Sequence, residues 1–149
     1  MLLIDRVNTD AGCGELTAIK AVTCNEPWYA DIPDELGEAA YDYPDVLVLE
    51  SWCQAAGVLA ARSAAPGNRV MLFGGVSDVR FSGRVRPGDT LEHRVRQLLA
   101  LDSTAVFEGE CLVGGQAVMT VGRLVIASRP PAELRDHAAA ARTGADLDG

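Results

Sequence analysis

The apolar and polar positions change pattern sharply near the middle of the chain. From Val46 to Ala61 (VLVLESWCQAAGVLAA) nearly every residue is apolar, and the run is too long for a strand. It predicts a single helix buried on most sides. Pro44-Asp45 opens it, and Asp45 suits both a cap and the positive end of the helix dipole. The helix should run to about Ala64 and stop at Pro66-Gly67. Before it, residues 16–23 alternate well enough for a strand, and the apolar start at 1–10 runs into a polar turn. Residues 24–45 show no period and carry Pro27, Pro33, Gly37 and Pro44, which reads as a long loop with one helical turn near 34–40. After the helix, strand patterns cover 69–81 (interrupted by Gly74-Gly75), 90–101, 103–113 and 116–127. Arg86-Pro87-Gly88-Asp89 and Gly114-Gly115 supply turns between them. The economical packing of this order is an α+β fold, an antiparallel sheet curled around one long central helix. A single domain would span 1–128, with 129–149 as a flexible or frayed tail.

One carboxylate, Glu50, sits in the apolar run, and Gln54 follows it by four residues on the same helix face. Desolvating an acid is costly, so Glu50 is the first candidate for chemistry. No histidine precedes His93 in the chain; His93 falls in an expected strand and His137 in the tail, and both read as ordinary residues. Cys13, Cys24, Cys53 and Cys111 are scattered without a CxxC pair, and neither histidine has metal-ligand spacing to them. No metal site or disulfide framework is expected, and the pattern fits a reducing cytoplasm. No apolar stretch is long enough to span a membrane, and MLLIDRV is a poor secretory signal. A net charge of −8 argues against nucleic-acid binding, which needs a basic face. Arg80, Arg84 and Arg86, with Arg94 and Arg96 beyond, form either a local positive patch or ordinary solvated strand positions.

Four strings carry a family resemblance: LLIDRV at 2–7, AIKAVTCNEP at 18–27, YPDVLVLESWCQAAGVLA at 43–60 and FGGVSDVRFSGRVRPGD at 73–89. In this order and at these spacings the chain resembles the FabZ-type 3-hydroxyacyl-(acyl carrier protein) dehydratases of the hotdog fold, over roughly residues 2–127. The resemblance implies a site at a dimer interface. There a histidine of one subunit takes the α proton of the thioester, and a glutamate on the other subunit's central helix protonates the leaving 3-hydroxyl. It places Glu50 on that glutamate and Gln54 on the glutamine after it. Asp45, Val46, Gly74 and Gly75 would approach the thioester, and Trp52, Phe73 and Phe81 would line an acyl tunnel or simply fill the core. The family's histidine loop reads Ala30-Asp31-Ile32-Pro33-Asp34 here, so Asp31 takes the histidine's place. Pro44-Asp45 likewise stands for Pro-Gly. An aspartate is far too acidic to be a ready base at neutral pH. Asp45 would compete for the helix amides that should hold the thioester oxygen.

Three readings follow. In the first, the chain is one subunit of a 3-hydroxyacyl-thioester dehydratase of fatty-acid or polyketide-type biosynthesis. It lends Glu50 to a site completed by a histidine-bearing hotdog paralogue. The second is a homodimeric thioesterase or isomerase with Asp31 or Glu50 as base. The third is a non-catalytic stabilising partner or acyl-chain binder. The resemblance implies no metal or soluble cofactor, since the acyl group arrives on the phosphopantetheine of an acyl carrier protein, which Arg80, Arg84 and Arg86 would contact. Trp28 and Tyr29 would gate or plug the interface, and Cys53 reads as an inert small hydrophobe. A dimer is expected because an open sheet edge and an open helix face need cover.

Overall fold

A central helix lies across the inner face of one six-stranded antiparallel sheet. The computed structural model describes residues 1–8, 14–33, 36–63 and 69–132. In chain order the elements are β1 (Arg6–Asn8), β2 (Glu15–Ala21), α1 (Asp45–Ser63), β3 (Val70–Phe81), β4 (Thr90–Leu101), β5 (Thr104–Val113) and β6 (Gln116–Arg129). The sheet order is β1-β2-β4-β5-β6-β3. This is the hotdog arrangement expected from the sequence, and the element boundaries agree to within about two residues. The expected helix end at Ala64, the stop at Pro66-Gly67, His137 and the tail from 133 onward lie outside the described residues.

Alternation builds the inner face. Leu16, Ala18 and Lys20 of β2 point inward, as do Leu91, His93 and Val95 of β4, all almost fully buried. Gly114 and Gly115 both adopt positive φ (57° and 82°), which closes the β5–β6 hairpin with the tight turn their sequence predicts. Gly88 (φ 100°) serves the Arg86–Asp89 turn, where the Asp89 amide donates to the Arg86 carbonyl.

Some features differ from expectation. The apolar start forms a true edge strand, β1, paired with β2. Three residues are too few to show a period. The loop's helical turns are two 3-10 turns, at Pro27–Tyr29 and Glu38–Tyr41, and Asp34 of the expected 34–40 turn lies outside the described residues. The Pro44 carbonyl receives the Leu47 and Val48 amides, so Pro44 sits at the cap and Asp45 is the first helical residue. Asp45 therefore acts on the helix dipole rather than as the cap. The helix is also less covered than its composition predicts. Val48, Ser51, Trp52, Cys53, Ala55, Ala56, Leu59 and Ala60 are buried, whereas Val46 and Glu50 are exposed. A sheet on one side covers only one side.

Trp52 is the largest wholly buried side chain, and its Nε1 donates to the Arg94 carbonyl at 3.0 Å. The indole fits because Gly109 of β5, opposite Val95, carries no side chain. A β-carbon there would lie 2.0 Å from the Arg94 oxygen and 3.1 Å from the Trp52 ring. His93, equally buried on the neighbouring position, places Nε2 2.9 Å from Ser51 Oγ. Burial first, and the Lys20 charge second, push His93 down from 6.5 to about 4.

Two stability predictions follow from this core. Gly109→Ala should cost about 3 kcal/mol in urea unfolding. Gly37→Ala, whose added carbon meets nothing, should cost under about 0.5 kcal/mol. Equal effects of the two would contradict the wedge. For His93, the unfolded chain takes up a proton near pH 6.5 and the folded chain only near pH 4. The stability from its neutral burial is whole above pH 6.5 and is lost progressively as the pH falls toward 4. Between pH 7 and 4.5 the wild type should therefore lose about 2 kcal/mol more than His93→Gln. Parallel unfolding curves for the two proteins would contradict this.

Candidate active site

The exposed face of α1 carries Val46, Glu50 and, half-buried, Gln54, Gly57 and Val58, one helical stripe. This corrects the expectation that Glu50 is buried: in the single chain its carboxylate stands at the surface. Gln54 fixes it. The Gln54 Oε1 accepts the Leu3 amide at 2.8 Å, so its Nε2 must point the other way. That nitrogen donates to the Met1 carbonyl at 2.8 Å and to Glu50 Oε1 at 3.1 Å. One amide thus ties the N-terminal segment, the helix and the acid together.

The sheet ends at β3, which is paired with β6 on one edge only. Leu72, Phe73, Val76 and Phe81 of β3 are exposed. Phe73 leans over the helix, its Cζ 3.8 Å from where a β-carbon of Gly57 would stand. The strand bends at a bulge between Phe73 and Gly75, and Gly74 lies close against Val125. Phe73 thus reaches the open stripe at Gly57, about two turns along from Glu50, and Phe81 stands near the helix start. Trp52 faces away from this stripe. Two residues past Glu50 is 200° around the helix, and Trp52 belongs to the sheet-side core rather than to a substrate wall.

At the start of the helix lies a cavity of about 530 Å³, lined by Asp42, Tyr43, Pro44, Asp45, Phe81 and the Ser82–Val85 segment. Another hollow, on the outer sheet face between Glu15, Arg94 and Glu108, lies away from the helix stripe. Two of the three candidate carrier-protein arginines are already engaged at the 530 Å³ cavity. Arg84 and Arg86 both bond Asp42, with Arg86 Nε 3.0 Å from Oδ1, and Arg86 also reaches Glu38 at 2.9 Å. The Arg86 and then the Arg84 bonds hold the Asp42 carboxyl below the usual carboxylate range. Arg84 and Arg86 thus anchor the long loop to the segment before β4; Arg80 is exposed on β3.

The same loop is latched at its base by Lys20, nearly fully buried, which pairs with Glu26 at 3.1 Å and lies 5.7 Å from the centre of the Tyr43 ring. The Tyr43 amide donates to the Val85 carbonyl at 2.7 Å, and its ring packs edge-on to Trp28. Burial, and then the Glu26 charge, raise the Tyr43 hydroxyl, so it stays protonated. Trp28 and Tyr29 pack inside this loop with Tyr43 and Tyr41. Asp31, farther along, is exposed, and among the described residues its side chain has no hydrogen bond or ion pair and none joins it to Glu50. Cys53 is buried, and desolvation, with the Glu50 charge second, pushes its thiol up to about 11, so it is not a thiolate nucleophile. Ser51 and His93 have the spacing of a nucleophile and its base, but both are wholly buried and face the sheet. On the open helix stripe this leaves Glu50 as the oriented acid, with no accessible histidine among the described residues.

A family described as FabA-like domain matches residues 1–122. The 3-hydroxyacyl-(acyl carrier protein) dehydratase FabZ of Shewanella amazonensis is 41% identical over 122 residues, covering 78% of this chain and 76% of the relative. That of Colwellia psychrerythraea is 36% identical over 132 residues, covering 87% and 85%. Among solved structures, the dehydratase heterocomplex ApeI:P from Xenorhabdus doucetiae superposes with a TM-score of 0.70 at 20% identity, covering 91% of this chain and 88% of that one. A Thermus thermophilus member of the thioesterase superfamily also gives 0.70, at 14% identity, covering 90% and 94%. These two likenesses establish the hotdog fold. The sequence matches establish the lineage: this chain belongs to the FabA-like family and is a member of the FabZ-type 3-hydroxyacyl-(acyl carrier protein) dehydratases.

Proposed function

We propose that this chain is the acid-bearing subunit of a two-chain 3-hydroxyacyl-thioester dehydratase, acting in fatty-acid or polyketide-type chain assembly. The observation that carries the reading is an oriented carboxylate on an open helix face, together with an apolar edge strand paired on one side only and no accessible histidine among the described residues. Glu50 is exposed and held by Gln54. The only histidine among the described residues, His93, is wholly buried. Elimination of water from a 3-hydroxyacyl thioester needs both an acid for the hydroxyl and a base for the α proton. Glu50 supplies the first. A histidine on a related hotdog chain supplies the second: its imidazole removes the α proton, Glu50 protonates the departing oxygen, water leaves, and the α–β double bond forms. The mirror site, with Asp31 in the histidine's place, is silent.

The exposed β3 edge with Leu72, Phe73 and Val76 fits this assembly, because a long apolar edge is a template for another strand. The heterocomplex from Xenorhabdus doucetiae, a dehydratase built on the same fold, is a precedent for two-chain assembly. The thioester rests near the start of α1 beside Asp45 and Val46, and the Gly74-Gly75 backbone stands farther along the helix, toward Gly57. Phe73 and Phe81 flank the acyl chain, Gln54 holds the acid, and the substrate arrives on the phosphopantetheine of an acyl carrier protein. With Arg84 and Arg86 engaged by the loop, Arg80 is the contact available to that acidic carrier.

The test is dehydration of a 3-hydroxyacyl carrier-protein substrate by this chain alone, by a histidine-bearing hotdog chain encoded beside it, and by the mixture. Only the mixture should be fully active. Glu50→Gln should lower its kcat by at least about 100-fold, the scale of a lost general acid, and Asp31→Asn should change it less than about twofold. Full activity of this chain alone would favour a homodimeric enzyme. An active mixture indifferent to Glu50 would favour a non-catalytic partner.

A further inference from the structure

Among the described residues, the one side-chain to side-chain hydrogen bond between the central helix and the sheet joins Ser51 and His93, both wholly inaccessible. Its proton arrangement follows from its neighbours. Ser51 Oγ lies 3.0 Å from the Val48 carbonyl oxygen, which only accepts. Two oxygens at that distance without a proton between them would repel, so the hydroxyl donates to Val48. The remaining 2.9 Å contact is then a bond from His93 Nε2–H to Ser51 Oγ. The imidazole is the Nε2–H tautomer, and its Nδ1 has no protein partner.

This couple is a poor way to gain stability. A buried acceptor without a partner costs free energy, and an apolar pair of the same shape avoids that cost. It does supply direction. Ser51 and Trp52 are consecutive on α1, and their bonds run to His93 and to the Arg94 carbonyl, consecutive on β4. One tie lets a helix pivot about its contact, whereas two ties at neighbouring points fix its rotation. Glu50 is the next residue up the helix from Ser51, so that rotation sets where its carboxylate points.

We propose that His93 is a positioning residue: through Ser51 it locks the rotation of α1 on the sheet and so aims Glu50 toward the shared site. The catalytic half of this rests on the dehydratase reading, whereas the orientation half does not.

The experiment therefore has two arms on the full chain. The Ser51→Ala/His93→Leu double variant replaces both partners by apolar groups, and His93→Gln returns a donor near the Nε2 position. Residual dipolar couplings of the α1 amides report the helix orientation relative to the β4 amides. The double variant should depart from the wild-type orientation, and His93→Gln should recover it. Wild-type couplings in the double variant would overturn the proposal, whatever the reaction. In the active assembly, the double variant should lower kcat about tenfold or more with KM within about twofold, and His93→Gln should restore most of it. A rotated helix with unchanged kcat would overturn the positioning role. An inactive wild-type assembly would instead sink the dehydratase reading and leave the couplings to decide the lock. Should the double variant fail to fold, Ser51→Ala alone, which leaves the His93 donor unmet, carries the same comparison.

Discussion

A helix apolar on all sides can bury only the side that a sheet reaches. In this chain that constraint governs everything else. The sheet takes Val48, Trp52, Ala55, Ala56 and Leu59, and the opposite stripe with Val46, Glu50 and Gly57 stays open. Phe73 of the edge strand β3, itself apolar and paired on one side only, meets the open stripe at Gly57. A single chain leaves both surfaces open, and under the proposed function a second subunit closes over the carboxylate and gives it a low-dielectric setting. Under that proposal fold, assembly and chemistry share one cause, the excess of apolar surface on α1 and β3 over what one sheet can bury.

The long loop departs most from what a self-sufficient dehydratase requires, yet it is firmly held. Lys20 and Glu26 latch its base, and Asp42 and Glu38 hold its far end through Arg84 and Arg86. The segment that presents Asp31 lies between these anchors and is exposed. A well-anchored loop without an imidazole fits a subunit that supports a site rather than one that completes it.

Much of this architecture could be read from residue order. The helix start is visible in Pro44-Asp45, and the β5–β6 hairpin in Gly114-Gly115, because those signals are local. β1 escaped notice because three residues carry no period. The family motif located Glu50, but its exposure was hidden: an all-apolar stretch does not reveal which half the sheet will cover. The Ser51–His93 contact spans 42 positions. Its only trace in the sequence was a histidine on the same inward parity as Leu91 and Val95, opposite a serine in an otherwise apolar helix. The pairing of Arg84 and Arg86 with Asp42 is equally long-range, so their anchoring of the loop left no local trace in the sequence.

The central claim is that Glu50 lies on a surface completed by a second, histidine-bearing chain. Native mass spectrometry after co-expression with neighbouring hotdog proteins tests it most directly. The account predicts a complex containing this chain and the histidine-bearing chain in equal number. Recovery of this chain only as a monomer, or only with copies of itself while the other chain assembles separately, would contradict it.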